Sequence, residues 1–476
     1  MAQTDAKTGD DVVHVGDPGG LDGFFKISQR GSTLRTELLA GLATWLTMAY
    51  ILFLNPAILG SVKDVNGQSL GFAPVLTVTA LAAGVMTIAM GLYANYPFAI
   101  AAGLGLNAFV TFTLVATLGL TWEQAMGVIV IEGLVISVLV LTGLRSAILD
   151  AIPMDLKRAI GIGIGLFLAI IGLHNGGIVI LGNDATPVVI ASHLATLRVL
   201  TFVVGLAITS ALVARKTKGA LLIGIVLTTL FAMVMNIGWG DRAIWDAVGP
   251  GVAQLPSKVL STPDFSLIGN FDFGVFQALG FATASAAILA VMLSDFFDTM
   301  GTAVGLAEEA GLLDEEGKLP GMKRVLFVDG LAAAVGGAMS ASSNTTYIES
   351  AAGIGQGART GLASIVVGAL FLLAVFFSPI AGIIPPEATA PVLVIVGYFM
   401  MQGVTAIDWR DPGLGIPALL TIVMMPFTYS ITNGVGAGFL SFTVIKVLQG
   451  KWREVHPLMY FVAAIFAWYF FHGLLA

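Results

Sequence analysis

Residues 342–357 read SSNTTYIESAAGIGQG, a polar stretch that lies among long apolar segments, where a membrane span is expected, and carries one carboxylate, Glu349. The run 343–348 favours a short β-strand, and the residues from Glu349 onward favour a short helix with this acid near its N-terminus. A strand followed by half a helix is tolerated inside a membrane only where it lines a cavity or is buried in protein. An ionisable group at that depth indicates function. We therefore interpret this stretch as half of a substrate site.

The composition predicts a polytopic helical membrane protein. Of the 476 residues, 57% are hydrophobic and 11% are charged, whereas a soluble domain carries about 25% charged residues. The net charge is −7 and no basic patch suits nucleic acid, so nucleic acid is not an expected partner. Cysteine is absent, which excludes disulfides and thiolate metal sites. No ATP-binding loop, HExxH motif or serine elbow is present, so we expect neither ATP-driven transport on this chain nor a recognisable enzyme.

The hydropathy predicts fourteen membrane spans, because each crossing needs about 20 apolar residues. A disordered cytoplasmic tail, 1–23, precedes them, and an apolar segment, 456–474, follows them as an interfacial helix or one more span. Lys and Arg collect in alternate connections, which places the N-terminus in the cytoplasm. We name the predicted segments span 1 to span 14: 37–58, 74–93, 97–118, 124–144, 157–178, 196–214, 219–238, 276–306, 324–340, 343–357, 360–380, 388–406, 413–430 and 433–449.

An internal repeat relates the two halves. Seven spans separate the copies, and because this number is odd the halves run in opposite senses through the membrane. The repeat predicts a second broken helix in span 3, with a short strand over 96–100. Chance similarity between Ala- and Gly-rich segments is the alternative explanation. Three pairs of segments share one offset of 250: 101–108 with 351–358, 81–83 with 331–333, and 44–48 with 294–298.

Three acids lie in otherwise apolar spans of the second half: Asp295, Asp298 and Glu349. The two aspartates are three residues apart and share one helix face. Two carboxylates on one face cannot both ionise cheaply in a low dielectric, which suits a proton carrier. The alternative is a buried structural pair, and Asp298 is the candidate for a structural role.

Further polar and aromatic residues are candidates to line the same cavity. An amide such as that of Asn107 matches the edge of a heterocycle, or it bonds neighbouring helices. Aromatic rings stack on planar ligands, although they also pack as ordinary core. We interpret Glu132 as structural and Gly161–Gly165 as a site of close helix packing. The other candidates are Phe98, Phe296, Phe297, Tyr347, Thr44, Trp45 and Thr47.

At these positions the chain resembles the AzgA-like purine permeases, which belong to the nucleobase:cation symporter group with the uracil and xanthine permeases. The resemblance extends from about Phe24 to about Lys451. Its motifs are 35–50 with Asn55-Pro56, Gly103–Ala108, Asp295–Gly301 and Thr345–Ser350.

The resemblance implies an all-α fold of two inverted seven-span halves, with short strands in spans 3 and 10. It implies a core domain over 24–150 and 273–382, a gate domain over 151–272 and 383–450, and a C-terminal apolar helix over 451–476. The implied activity is proton-coupled uptake of hypoxanthine, guanine or adenine through the cell membrane by alternating access. The implied partners are a purine base, membrane lipid and a second copy in a homodimer. No cofactor or metal is implied, and the sequence leaves open whether H⁺ or Na⁺ is the coupling ion.

The resemblance also assigns roles to residues. Asn107, Asp295 and Glu349 would meet the purine, and Phe98 would lie beside it. Asp298 matches a second span-8 acid with a role in coupling or structure. The uracil permease has a glutamate and a histidine at the two span-8 positions, so its coupling scheme does not transfer directly.

Two other classes of function stay open on the sequence. An anion transporter or channel of the same inverted-repeat fold would need a positive site, and three central acids argue against one. An intramembrane hydrolase would need a positioned water or metal, and no motif for either is present.

Overall fold

The computed structural model describes residues 20–143, 151–183, 186–238, 253–256, 258–316 and 318–471. Nearly all of the predicted N-terminal tail, 1–23, lies outside these ranges. The described chain is a polytopic α-helical membrane protein, as predicted. Nine of its described helices are long and apolar enough to cross a membrane: Leu34–Leu59, Phe72–Ala94, Trp122–Thr142, Met154–Asn175, Leu197–Ala214, Val275–Glu309, Gly361–Ala381, Pro386–Ala406 and Ile431–Leu448.

The remaining predicted spans are shorter or broken. Span 3 continues as one helical segment, Leu104–Thr117. Span 10 consists of a 3₁₀ turn, Ile348–Ser350, and a single helical turn, Ala351–Ile354. The other helices at predicted span positions are Ala220–Gly238 in span 7, Met322–Ala338 in span 9, Pro412–Thr428 in span 13 and the C-terminal Pro457–Phe471. That all fourteen segments cross the membrane stays a prediction.

The helix starts follow ordinary capping chemistry. Span 4 opens with a capping box, in which the Thr121 hydroxyl accepts from the Gln124 N–H and the Gln124 side chain accepts from the Thr121 N–H. At the start of span 14, the Ser430 hydroxyl accepts a hydrogen bond from the Asn433 N–H. Gly280 has φ 74° inside span 8, so the 35-residue helix Val275–Glu309 is kinked there.

The two broken spans meet through a pair of short strands. Strand β1, Ile100–Ala102, lies antiparallel to β4, Asn344–Thr346, with Ala101 opposite Thr345. The prediction of strands in spans 3 and 10 is therefore confirmed. A second hairpin outside the membrane helices joins β2, Val179–Asn183, to β3, Thr186–Ile190, and was not predicted.

The predicted position of the first strand is wrong. It occupies 100–102 rather than 96–100, and equivalent strand residues are separated by 244 positions rather than 250. The offset of 250 does hold between the span-2 helix, which begins at Phe72, and the span-9 helix, which begins at Met322. The six extra residues of the first half lie in the span-2 helix, which extends over Phe72–Ala94, whereas the span-9 helix is Met322–Ala338. The Ala/Gly match of 101–108 with 351–358 therefore does not pair equivalent positions.

Close glycine contacts hold the helices together. A Cβ on Gly133 of span 4 would lie 2.2 Å from the Ala334 nitrogen of span 9, and a Cβ on Gly165 of span 5 would lie 2.8 Å from the Gly397 carbonyl of span 12. Such approaches are possible only without a side chain. The interpretation of Gly161–Gly165 as a packing motif holds for Gly163 and Gly165, whereas a Cβ on Gly161 would meet nothing within 4 Å.

The most extensive helix packing falls into two groups. Spans 4 and 9 pack on each other, as do spans 2 and 11, which also contact span 1. Span 5 packs along spans 12 and 13, and span 13 packs on span 14. These groups follow the predicted core and gate, whose boundaries stay a prediction. The C-terminal helix rests on span 14, where Tyr469 donates a hydrogen bond to Asn433 at 2.8 Å.

Candidate functional site

A cavity of about 120 Å³ lies where the two broken helices meet. Its wall includes the start of the span-3 helix, Gly103–Leu106, and the turn of span 10 that carries Glu349. Ile164 of span 5 and Met400 of span 12 close it from the other side. The cavity is therefore bounded by both groups of helices.

Two carboxylates share this cavity, Asp298 from span 8 and Glu349 from span 10. The Glu349 side chain is held by span 1, because the Tyr50 hydroxyl donates to its Oε1 at 2.5 Å. The Thr47 hydroxyl lies 3.2 Å from the Glu349 backbone carbonyl. Tyr50 also lines the cavity. The motif analysis quoted Tyr50 without giving it a role, and only its three-dimensional position identifies it.

The cavity also borders backbone donors. The first N–H groups of a helix have no partner within it, and the span-3 helix begins at Leu104 in the wall. Gly103 N–H itself is satisfied by the Ser343 carbonyl at 3.0 Å, which ties the two broken spans together. The site thus offers N–H donors from span 3 opposite carboxylate acceptors from spans 8 and 10.

A second cavity of about 260 Å³ adjoins the first. Asp298 and Ile164 line both cavities. Lys157 lies in its wall, with its Nζ 5.3 Å from the centre of the Phe297 ring. Phe297 therefore borders the second cavity and not the first. Such an adjoining space, between spans 5 and 8, is what an access path to the site requires.

Asp295 does not line either cavity. Its side chain is fully buried, and the hydroxyl of Ser343, the residue before β4, lies 3.3 Å from its Oδ2. The same hydroxyl lies 3.4 Å from Glu132 Oε2 of span 4. The two span-8 acids therefore have reversed positions relative to the sequence analysis, in which Asp295 was the ligand and Asp298 the structural candidate.

Three other predicted site residues also lie off the cavity wall. Asn107 is fully buried, and neither atom of its amide has a hydrogen-bond partner. Phe98 is fully buried and stacks on Tyr96 with ring centres 5.3 Å apart. Thr44 packs against the short span-10 helix, where a Cβ on Gly353 would lie 2.4 Å from its hydroxyl. Their substrate-binding roles stay predictions that these positions do not support.

Tyr347 lies in the cavity wall, as predicted for a ligand-contacting residue. Its hydroxyl donates to the Ala102 carbonyl at 2.5 Å, so it also joins the two broken spans. The remaining aromatic candidates lie elsewhere: Phe296 is buried, and Trp45 packs edge-on against Phe371.

The sequence analysis gave no role to Asp329 of span 9, which is buried. It accepts hydrogen bonds from the Thr299 hydroxyl at 2.6 Å and from the N–H and hydroxyl of Thr346 at 2.8 Å. It therefore fixes span 8 and β4 relative to span 9. The available signal was its position in the apolar stretch 324–340, which makes it a fourth acid in the spans of the second half.

The described residues contain no cluster of His, Cys, Asp and Glu suited to a metal ion. The two carboxylates with facing N–H groups suit a flat heterocycle that carries both ring N–H donors and ring acceptors.

Comparison with known proteins gives consistent results. The model of the permease family that includes the xanthine and uracil permeases matches residues 35–436. The adenine permease AdeQ of Escherichia coli (strain K12) is 39% identical over 450 residues, which cover 94% of this chain and 96% of that protein. The guanine/hypoxanthine permease PbuG of Bacillus subtilis (strain 168) is 38% identical over 450 residues, covering 94% of this chain and 98% of that protein.

Among solved structures, the transmembrane domain of the cyanobacterial bicarbonate transporter BicA is similar in fold, with a TM-score of 0.58 at 15% identity. The match covers 85% of this chain and 97% of that one. At this identity the likeness concerns the fold alone.

Proposed function

Since the chain belongs to the permease family that its residues 35–436 match, and is a transporter rather than an enzyme, we propose that it takes up purine nucleobases. The proposed substrates are hypoxanthine, guanine and adenine, and the proposed driving force is the proton gradient across the cell membrane. Support for the substrate class comes from the adenine permease and the guanine/hypoxanthine permease that the chain resembles over nearly its whole length.

The observation that carries the proposal is that Asp298 and Glu349 share one cavity opposite the start of the span-3 helix. In this scheme Glu349 accepts hydrogen bonds from ring N–H groups, and the N–H groups near Leu104 bind acceptor atoms at the other edge. The Tyr50 hydroxyl orients Glu349. Asp298 provides a second acceptor, a role that the sequence analysis gave to Asp295.

Alternating access follows from the position of the cavity. Its wall combines residues of spans 1, 3, 8 and 10 with Ile164 of span 5 and Met400 of span 12. Movement of one group of helices relative to the other would open the cavity to each side in turn. A proton bound in the core would offset one of the negative charges that oppose this movement through the bilayer.

An anion transporter is less compatible with the site. The first cavity contains two carboxylates, and among the described residues no cationic side chain lines it. Lys157 lines only the adjoining cavity. The likeness to the bicarbonate transporter concerns the fold and does not carry its substrate to this chain.

Competition of labelled hypoxanthine uptake tests the proposal. Cells that express the protein are supplied with excess adenine, guanine, xanthine or uracil, with and without a protonophore. We expect purines to compete, uracil not to compete, and the protonophore to abolish accumulation. Accumulation that no purine inhibits would contradict the substrate assignment, and accumulation that survives the protonophore in sodium-free buffer would contradict proton coupling.

A further inference from the structure

A pair of buried carboxyl groups lies behind the wall of the cavity, on the side away from the predicted substrate. Glu132 of span 4 and Asp295 of span 8 are both fully buried. The hydroxyl of Ser343, the residue before β4, lies between them, 3.4 Å from Glu132 Oε2 and 3.3 Å from Asp295 Oδ2. Both buried carboxyl groups therefore lie within reach of one and the same hydroxyl.

The free oxygens of the pair require a proton. Glu132 Oε1 and Asp295 Oδ1 are buried, and neither receives a hydrogen bond from an N–H or O–H group of the described protein. A carboxylate offers only acceptors, and the Ser343 hydroxyl has a single hydrogen to donate. A second hydrogen bond within this group therefore needs a proton on one of the two carboxyl groups. Without that proton, both carboxylates would be charged and buried, and neither Glu132 Oε1 nor Asp295 Oδ1 would accept a hydrogen bond, which costs free energy.

Neighbouring acids also favour a proton on the pair. Two further acids belong to the elements packed here. Asp329 of span 9 accepts a hydrogen bond from Thr299, four residues after Asp295, and Asp298 is three residues further along span 8. Lys323 and Arg324 of span 9 stand at the start of their helix, whereas Asp329 lies in its middle. When ionised, these two acids would favour retention of a proton on the pair.

We propose that Glu132 and Asp295 together hold the coupling proton, behind the cavity rather than on the acids that face the substrate. This inference rests on the proposed function. The pair carries one negative charge when loaded and two when unloaded. The proton enters from one side of the membrane and leaves to the other, and no other bond is formed or broken. Asp298 faces the cavity one turn along the same helix, so it supplies a route between the cavity and the pair.

The state of the pair can reach the substrate site through Ser343, the residue before β4. Its hydroxyl lies within hydrogen-bonding distance of both carboxyl groups, and its carbonyl accepts from the Gly103 N–H at the start of the span-3 helix. Loss of the proton would therefore change the hydrogen bonds of the segment that joins the two broken helices. Glu132 is accordingly a positioning and proton-holding residue and does not touch the substrate.

The proton-holding role of Glu132 is tested with purified Glu132→Gln reconstituted in vesicles. The control is Glu123→Gln, in the first turn of the same helix. By linkage, proton binding and hypoxanthine binding must change each other's affinity by the same factor. We expect wild type and Glu123→Gln to show a hypoxanthine Kd that changes about tenfold with pH and accumulation driven by an imposed pH gradient. Glu132→Gln should keep counterflow exchange of hypoxanthine but lose both the pH dependence and the driven accumulation.

Several outcomes would overturn the inference. The first is that Glu132→Gln still accumulates hypoxanthine under a pH gradient and keeps the pH dependence of its Kd. The second is that Glu132→Gln loses hypoxanthine exchange as well as proton-driven accumulation. The third is that Na⁺ alone drives accumulation in wild type. Absence of hypoxanthine exchange in wild type would instead refute the proposed function. If Glu132→Gln does not accumulate in the membrane, Ser343→Ala serves as the second variant. It removes only the shared hydroxyl, and an unaltered pH profile in that variant would also refute the role of the pair.

Discussion

The Tyr50 hydroxyl donates a hydrogen bond to Glu349 Oε1 at 2.5 Å, which joins span 1 to the broken helix of span 10 at the edge of the cavity. The two residues are 299 positions apart in the chain. Both line the same cavity. Glu349 therefore reaches the site already oriented, and its second carboxylate oxygen remains available to a ligand.

Replacing Tyr50 by Phe should weaken purine binding without unfolding the protein. A hydrogen bond to a charged group contributes about 1.5–3 kcal/mol, which corresponds to a Kd raised about 10- to 100-fold. Equilibrium binding of tritiated hypoxanthine to purified protein measures the change. Tyr93→Phe is the control, because its side chain is about half exposed on span 2. Equal affinities in Tyr50→Phe and wild type would show that Glu349 needs no orienting donor.

Asp329→Asn should lower stability more than an exposed substitution does. Asp329 accepts hydrogen bonds from Thr299 and Thr346, and an amide nitrogen in place of one oxygen would face a donor instead of accepting from it. A buried donor left without an acceptor costs about 1–3 kcal/mol. Thermal unfolding in detergent should show a lower melting temperature for Asp329→Asn. Glu316→Gln, at an exposed ion pair with Lys318, should leave it unchanged; equal melting temperatures would contradict the structural role.

Gly105→Ala should slow transport, because the added methyl would lie 2.6 Å from Ile164 Cγ2 across the boundary between spans 3 and 5. Shortening the opposing side chain in Gly105→Ala/Ile164→Ala should restore part of the rate. Initial rates of hypoxanthine uptake at matched expression measure both effects.

The matched control is Gly305→Ala, whose new methyl would meet nothing within 4 Å. A rate for Gly105→Ala equal to that of Gly305→Ala would show that this contact does not limit the movement of the two groups of helices.

Much of the fold could be predicted from the sequence because membrane spans are long apolar runs, and a polar run among them is conspicuous. The polar stretch around Glu349 is a broken span, as predicted, and the resemblance to the purine permeases is confirmed. The strand of span 3 was placed several residues too early, because an Ala/Gly match does not show that the span-2 helix is six residues longer than the span-9 helix.

The arrangement of the acids could not be predicted in the same way. Helical spacing puts Asp295 and Asp298 on one face but not at the same angle, and the helices packed beside them decide which one meets the cavity. Span 4 brings Glu132 against Asp295 and buries it. Asp298 is left facing the space beside span 5. These neighbours are distant in sequence, so only the fold identifies them.

Asp298→Asn and Asp295→Asn should therefore separate binding from coupling. Asp298→Asn removes a charged acceptor from the cavity, so the Kd for hypoxanthine should rise about tenfold or more. Asp295→Asn alters the buried pair, so binding should persist while gradient-driven accumulation is lost. Vesicle assays of binding and accumulation measure both, with Glu308→Gln on the exposed end of span 8 as control. Weaker binding in Asp295→Asn, with retained binding and lost accumulation in Asp298→Asn, would instead identify Asp295 as the ligand.

The central claim is that Glu349 holds a purine in the cavity between the two broken helices. Equilibrium binding of tritiated hypoxanthine to purified Glu349→Gln, compared with wild type and Glu308→Gln at equal folded concentration, tests it most directly. The account predicts a Kd raised by about two orders of magnitude in Glu349→Gln, since an ionised acceptor of ring N–H groups is lost, and no change in Glu308→Gln. Binding of hypoxanthine by Glu349→Gln with the wild-type Kd would contradict it.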